Sequence, residues 1–193
     1  MIQWVRRNFG RGGLHRWLQA PGSLSARLAA TGTQFSVQVL AQGHQALSAD
    51  EARVLGQGRQ RKGYVREVVL RVDGVPRVFA RSVTAHTDSL AAWRSVRGLG
   101  TRPLADVLFK RGGITRAPLA FAKLGPGSTL KRHVAASWQR ATGQTLTARA
   151  LSARRSAFVR RQAVLLVMEV FVADHWHWTA AADQVKTSHR RRI

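Results

Sequence analysis

Residues 64–84, YVREVVLRVDGVPRVFARSVT, constrain the fold of this chain more than any other stretch. Two runs rich in Val, Leu and Phe flank Asp73-Gly74. Asp and Gly tolerate the positive φ angles of a two-residue hairpin loop, so the segment reads as one β-hairpin. With Val72 and Val75 as the partners beside the turn, Leu70 faces Arg77, Val68 faces Phe79, and Arg66 faces Arg81. Alternation then puts Arg66 and Arg81 on a face otherwise made of Val68, Leu70, Val72, Phe79 and Val83. Facing arginines repel, and burying an unpaired charge is costly. An anion between them resolves the conflict, and the arginine fork suits a carboxylate. By the same alternation Glu67 points outward with Arg71, as a surface ion pair.

A chain of 193 residues is long enough for one domain with a substantial core. It has no cysteine, which excludes disulfides and thiolate metal sites. No apolar run reaches the roughly 18–20 residues that span a bilayer. The start, MIQWVRRNFGRGGLHRW, is basic and lacks the apolar core of a secretory signal, so a cytoplasmic protein is expected. The formal charge is +23, from 32 basic and 9 acidic residues. Such a field draws anions of every kind. The basic residues are spread along an Arg- and Ala-rich chain rather than gathered in a nucleic-acid motif. A solvated, compositionally biased surface therefore fits better than a dedicated nucleic-acid or membrane partner. A monomer is expected.

Residues 1–16 read as a basic lead-in, 17–178 as the folded domain, and 179–193 as a disordered basic tail. Pro21-Gly22 marks a turn, with a short helix after it capped by Ser23 and stopped near Gly32. Residues 34–41 alternate as a strand, and Ser48-Ala49-Asp50-Glu51 looks like a helix start. Residues 86–97 resemble a short amphipathic helix, and Pro103 opens another over 103–109. Residues 128–150 read as polar and partly helical, and 154–172 as one long strand-like region.

That last region ends in AVLLVMEVFV, a run apolar on both faces, as in a strand covered on both sides. Glu169 sits inside it. A carboxylate there must be paired or protonated. Two readings stay open: a structural Arg–Glu ion pair, or a functional acid in a cleft. His175 and His177 share a strand face, but two histidines without a third ligand make a weak metal site, and strand-end packing fits better. The GRGG of 10–13 and RGG of 111–113 lack the strand–loop–helix setting and GK[ST] ending of a phosphate loop.

Taken in order, these stretches resemble the chorismate lyase (chorismate pyruvate-lyase) family of the bacterial ubiquinone pathway. The resemblance runs from Trp17 to about Phe171. It is carried by Trp17-Leu18, Ser23-Leu24-Ser25-Ala26-Arg27-Leu28, VREVVL with Asp73-Gly74 and Arg81-Ser82-Val83, and LGTRPLADVLF at 99–109. Thr115-Arg116, Arg154-Arg155-Ser156 and Glu169-Val170-Phe171 complete it. Residues 124–150 form a longer connection than is usual in the family, and Val164 replaces a proline before the last strand.

The resemblance implies a single α+β domain: a central antiparallel β-sheet with helical flaps over an internal ligand cavity. It implies elimination of pyruvate from chorismate, leaving 4-hydroxybenzoate, with no metal or organic cofactor. The implied ligand residues are Arg66 and the amides of Leu24 and Leu104 for the ring carboxylate. Arg81 is implied for the enolpyruvyl carboxylate or departing pyruvate, and Glu169 for the ring hydroxyl. Two other functions compete. One is a ligand-sensing module of the same fold, as in a class of transcription regulators. Those carry a winged helix-turn-helix for which a 16-residue lead-in is too short. The other is a basic nucleic-acid-binding protein, which would bind DNA or RNA with steep salt dependence.

Overall fold

A computed structural model describes residues 2–9, 11–58, 62–109, 112–172 and 178. Among these the chain runs α1 (Gly12–Gln19), α2 (Leu24–Ala29), β1 (Phe35–Ala46), α3 (Ala49–Val54), β2 (Lys62–Val72) and β3 (Val75–Ala85). It continues through α4 (His86–Leu90), α5 (Arg94–Arg97), α6 (Ala105–Leu108), β4 (Thr115–Arg116) and β5 (Ala120–Leu124). It closes with α7 (Thr129–Thr142), β6 (Leu151–Arg160) and β7 (Ala163–Phe171). The α1 helix starts inside the basic lead-in. Ahead of it, Val5 bridges Phe121 of β5, and Trp4 lies under the Arg155 guanidinium.

The seven strands make one antiparallel sheet in the order β1-β2-β3-β7-β6-β4, with β5 also paired to β6. The fold is thus a single-domain α+β structure. Both sheet faces are covered, which explains the doubly apolar AVLLVMEVFV run. On one face α7 packs Val134 and Trp138 against Val69, Phe79, Met168 and Val170. Beside it, Leu47 and Ala52 of the α3 region cover Val65, Val83 and Leu166. The other face carries two helical layers. Trp17, Leu18, Leu24 and Leu28 of α1 and α2 pack on Val37, Val68, Leu70 and Phe171. Trp93, Val96, Leu99 and Leu108 of the α4–α6 segment pack on Tyr64, Phe158 and Leu165. None of the described helices is long and apolar enough to cross a membrane.

The sequence-level helix starts agree with the structure where a cap defines them. Ser23 Oγ accepts from Ala26 N at 3.0 Å. Ser48 and Glu51 form a reciprocal capping box. Ser128 caps α7, and Gly143 ends it in the left-handed conformation at φ 71°. The long strand expected over 154–172 is instead the β6–β7 hairpin, turned at Arg161-Gln162 with φ 50° and 66°. Neither residue type is a turn signal, so tertiary pairing imposes this turn. The helix expected over 86–97 is broken into α4 and α5, with Trp93 buried between them and its Nε1 donating to Ala163 O at 3.2 Å. His175 and His177 lie outside the described residues. Trp178 packs edge-on against Trp17 and Phe171.

The central hairpin has the expected turn, with Asp73 at φ 51° and Gly74 at φ 75°. Its register differs from the expectation. Val72 pairs Val75 and Arg71 pairs Pro76, but Leu70 pairs Val78, so Arg77 is an extra residue bulged out of β3. Pro76 explains it: proline has no N–H for the ladder, and strands accommodate it at bulges. Beyond the bulge every β3 side chain is on the face opposite to that of a regular ladder. Arg66 therefore pairs Ser82, and Arg81 pairs Glu67.

Candidate active site

The two helical layers leave a space between them and the sheet, about 640 Å³ including its mouth. Its floor is one face of the sheet: Arg66, Val68 and Leu70 of β2, Ala80 and Ser82 of β3, Val167 and Glu169 of β7, Ser156 and Phe158 of β6. Its roof comes from the Gly22–Ser25 segment and from Pro103, Leu104 and Phe109. Alternation along β2, β3, β7 and β6 accounts for the floor, because their registers put these residues on shared rows.

Arg66 is 2% exposed. One Nη2 donates to Gly100 O at 2.9 Å and Arg102 O at 3.0 Å, both on the loop leading into α6. Its Nε is buried with no partner. Burial lowers its proton affinity, with Tyr64 slightly opposing, though an arginine stays charged at physiological pH. A desolvated guanidinium held only by neutral carbonyls and with a free donor is an anion site by its chemistry.

Glu169 lines the same cavity, and its partner is Arg154 of β6, whose Nε lies 2.5 Å from Oε2. Arg154 is 0% exposed. Its Nη1 donates to Trp17 O, Leu18 O and Ala20 O at 3.0–3.1 Å. One side chain thus ties Glu169 to the carbonyls that end α1, just ahead of the Gly22–Leu24 roof. Glu169 is thus ion-paired with Arg154 and also borders the cavity. Leu24 and Leu104 both border the cavity, Leu24 as the first residue of α2 and Leu104 as the residue before α6. Amides at such positions have no partner inside their helix.

Arg81 is not with them. It borders the cavity as part of β3, but the bulge at Arg77 sends its guanidinium to the opposite face. There Nε and Nη2 grip Glu51 at 2.7 and 3.1 Å, Nη1 reaches Glu67 at 2.7 Å, and Nη2 donates to Ala46 O at 3.1 Å. The expected facing pair of Arg66 and Arg81, and an Arg81 contact to a carboxylate between them, are corrected by this register. Glu67 is likewise no surface residue: it is 3% exposed and bonded to Arg81 and to His133 Nε2 at 2.6 Å. Burial pulls its pKa up, but His133 and Arg81 outweigh that and hold it below the ordinary carboxylate value. Arg71 pairs not with Glu67 but with Gln38 Oε1, at 3.0 and 2.7 Å.

The structure adds residues to which sequence reasoning gave no role. Arg116 of β4 lines the cavity, donating to Ser156 Oγ at 3.3 Å and Gly22 O at 3.2 Å. Its guanidinium carbon sits 5.3 Å from the Phe158 ring centre. Ser82 and Ser156 contribute hydroxyls to the floor. The available signal was polar residues alternating at 152, 154 and 156 of β6.

Comparison with known proteins agrees with this architecture. Solved structures with the same fold include a GntR-family transcriptional regulator from Bacillus cereus, at TM-score 0.53, 8% identity, 74% of this chain and 94% of that one. Another is the PhnF C-terminal domain, at TM-score 0.54, 17% identity, 76% of this chain and 88% of that one. At those identities the likeness is one of fold. Sequence relatives are nearer. A protein of Albidiferax ferrireducens named probable chorismate pyruvate-lyase is 63% identical over 180 residues, 92% of this chain and 91% of the relative. One of the same name from Aromatoleum aromaticum is 44% identical, covering 82% of this chain and 84% of the relative. The chorismate lyase family model matches residues 9–181. The chain belongs to the chorismate lyase family.

Proposed function

We propose that this cavity converts chorismate to 4-hydroxybenzoate and pyruvate, the first step of ubiquinone biosynthesis, as a cytoplasmic monomer that needs no cofactor. The observation that carries the reading is the buried Arg66, without a carboxylate partner among the described residues, sharing a cavity with Glu169. Chorismate brings a ring carboxylate, a ring hydroxyl and an enolpyruvyl ether with its own carboxylate. Breaking the ring carbon–oxygen ether bond releases the three-carbon fragment. The hydrogen on the hydroxyl-bearing ring carbon is lost as the ring becomes aromatic, and the fragment gains one hydrogen at its methylene to become pyruvate. Aromatisation drives the reaction, so the protein's task is to orient the diene and exclude water.

Arg66, with the amides of Leu24 and Leu104, grips the ring carboxylate. Its anchorage to Gly100 O and Arg102 O supports this role, since it couples the guanidinium to the roof segment carrying Leu104. Glu169 orients the ring hydroxyl, with Arg154 holding its carboxylate in place. Arg81 acts from behind the sheet, locking β2 against β3 through Glu67 and Glu51 so that Arg66 is presented on the cavity side.

Purified protein given chorismate with no added metal should form pyruvate and 4-hydroxybenzoate in equal amounts. Absence of both products would end the enzyme reading and favour a ligand-sensing role for the same cavity. Glu169→Ala should lower kcat by about 100-fold or more. Unchanged turnover would remove Glu169 from the mechanism.

A further inference from the structure

We infer that Arg116 is the second carboxylate ligand of the cavity, holding the enolpyruvyl carboxylate that leaves with pyruvate, opposite Arg66 at the ring carboxylate. The inference rests on the lyase reading above and assigns the residue on which its second charge falls.

The charged groups lining the cavity are Arg66, Arg81, Arg116 and Glu169. Arg81 is neutralised on the far face by Glu51 and Glu67. Glu169 is matched by Arg154, which has no exposure and gives its remaining bonds to three carbonyls. Two cations remain, and neither has a carboxylate partner among the described residues. Arg66 is held by two carbonyls and Arg116 by a hydroxyl and a carbonyl. A cavity with two uncompensated guanidinium groups is built for a dianion. Burial and the nearby Arg154 both weigh against charge on Arg116, and Glu169 only partly offsets them. A bound carboxylate removes that conflict.

The placement fits the substrate's shape. In sheet order β2 and β4 stand four strands apart, about 19 Å at the backbone, so the two guanidinium groups reach into the cavity from opposite sides. Chorismate carries its hydroxyl and its ether on adjacent ring carbons, and its ring carboxylate across the ring. Glu169, the hydroxyl partner, must then share an end of the cavity with whatever binds the enolpyruvyl carboxylate. Arg116 sits within the electrostatic reach of Glu169 and beside Ser156. Contact with the Phe158 ring and with Gly22 O holds the guanidinium plane in place.

A purely structural Arg116, a latch on Gly22 O, would matter for every ligand alike. A ligand of the departing carboxylate matters only for the substrate, because 4-hydroxybenzoate keeps one carboxylate and that one belongs to Arg66. In Arg116→Gln, kcat/KM for chorismate should fall roughly 10–100-fold, as loss of a charged hydrogen bond implies, while the Kd for 4-hydroxybenzoate changes by less than about threefold. Arg116→Lys, which keeps the charge without the fork, should recover part of the loss. Arg66→Gln should weaken substrate and product together. Retained product binding shows that the variant is folded. A parallel loss of product affinity in Arg116→Gln, or an unchanged kcat/KM, overturns the assignment. Failure of the unaltered protein to process chorismate would instead overturn the lyase reading itself.

Discussion

Arg154 is wholly buried and has four acceptors. Its guanidinium answers Glu169 and the carbonyls of Trp17, Leu18 and Ala20. Removing one side of a buried ion pair leaves the other charge uncompensated, at a cost of about 3–5 kcal/mol. Arg154→Met should therefore lose stability in that range by urea unfolding, and Arg154→Lys should lose much of it too, because a point charge cannot span the same acceptors. A loss below about 1 kcal/mol would mean that solvent reaches the pair. Glu67 makes a different statement, about pH. Its folded pKa is depressed, so the unfolded chain binds its proton more readily. The stabilisation is complete above the unfolded value of about 4.3 and is lost as pH falls through the lower folded value. The urea midpoint of the unaltered protein should drop across that acid window. Glu67→Gln should begin lower at neutral pH and fall less steeply there. Equal acid sensitivity would show that other carboxylates dominate.

At the level of elements, the sequence shows what local chemistry decides and hides what pairing decides. The Asp73-Gly74 turn, the Ser23 and Ser48 caps and the mostly buried strand that holds Glu169 were legible, because each follows from a residue's own conformational preference or from burial pattern. The faces of β3 were not, because one extra residue inverts them all. Pro76 was the visible clue to the bulge. The partner of Glu169 was hidden for another reason: Arg154 meets it only through the β6–β7 hairpin, whose Arg161-Gln162 turn carries no turn signal. Tight strand pairing also has a test. A Cβ on Gly63 would stand 2.6 Å from the Thr84 carbonyl oxygen and 3.1 Å from Leu47. Main chain cannot give way as a side-chain tip can, so Gly63→Ala should cost about 1–3 kcal/mol in urea unfolding. A neutral result would mean that β2 and β3 can part locally at that end.

At the scale of the whole molecule, the charge of +23 and the cavity arginines Arg66 and Arg116 act over different distances. The summed field reaches beyond the surface, draws any anion, and is what salt screens first. The bonds of Arg66 and Arg116 to a bound dianion act at contact distance in a partly buried cavity and are screened less. Raising salt from about 10 mM to about 300 mM shortens the Debye length from about 30 Å to below 10 Å. If the field gathers substrate, kcat/KM for chorismate should fall roughly 3–10-fold over that range while kcat holds, because only encounter is slowed. The ratio between the unaltered protein and Arg116→Gln should persist at high salt, since that difference is made after capture. A kcat/KM indifferent to salt would separate the basic surface from substrate capture. The charge would then reflect the composition of the chain, and the two cavity arginines alone would account for recognition of the dianion.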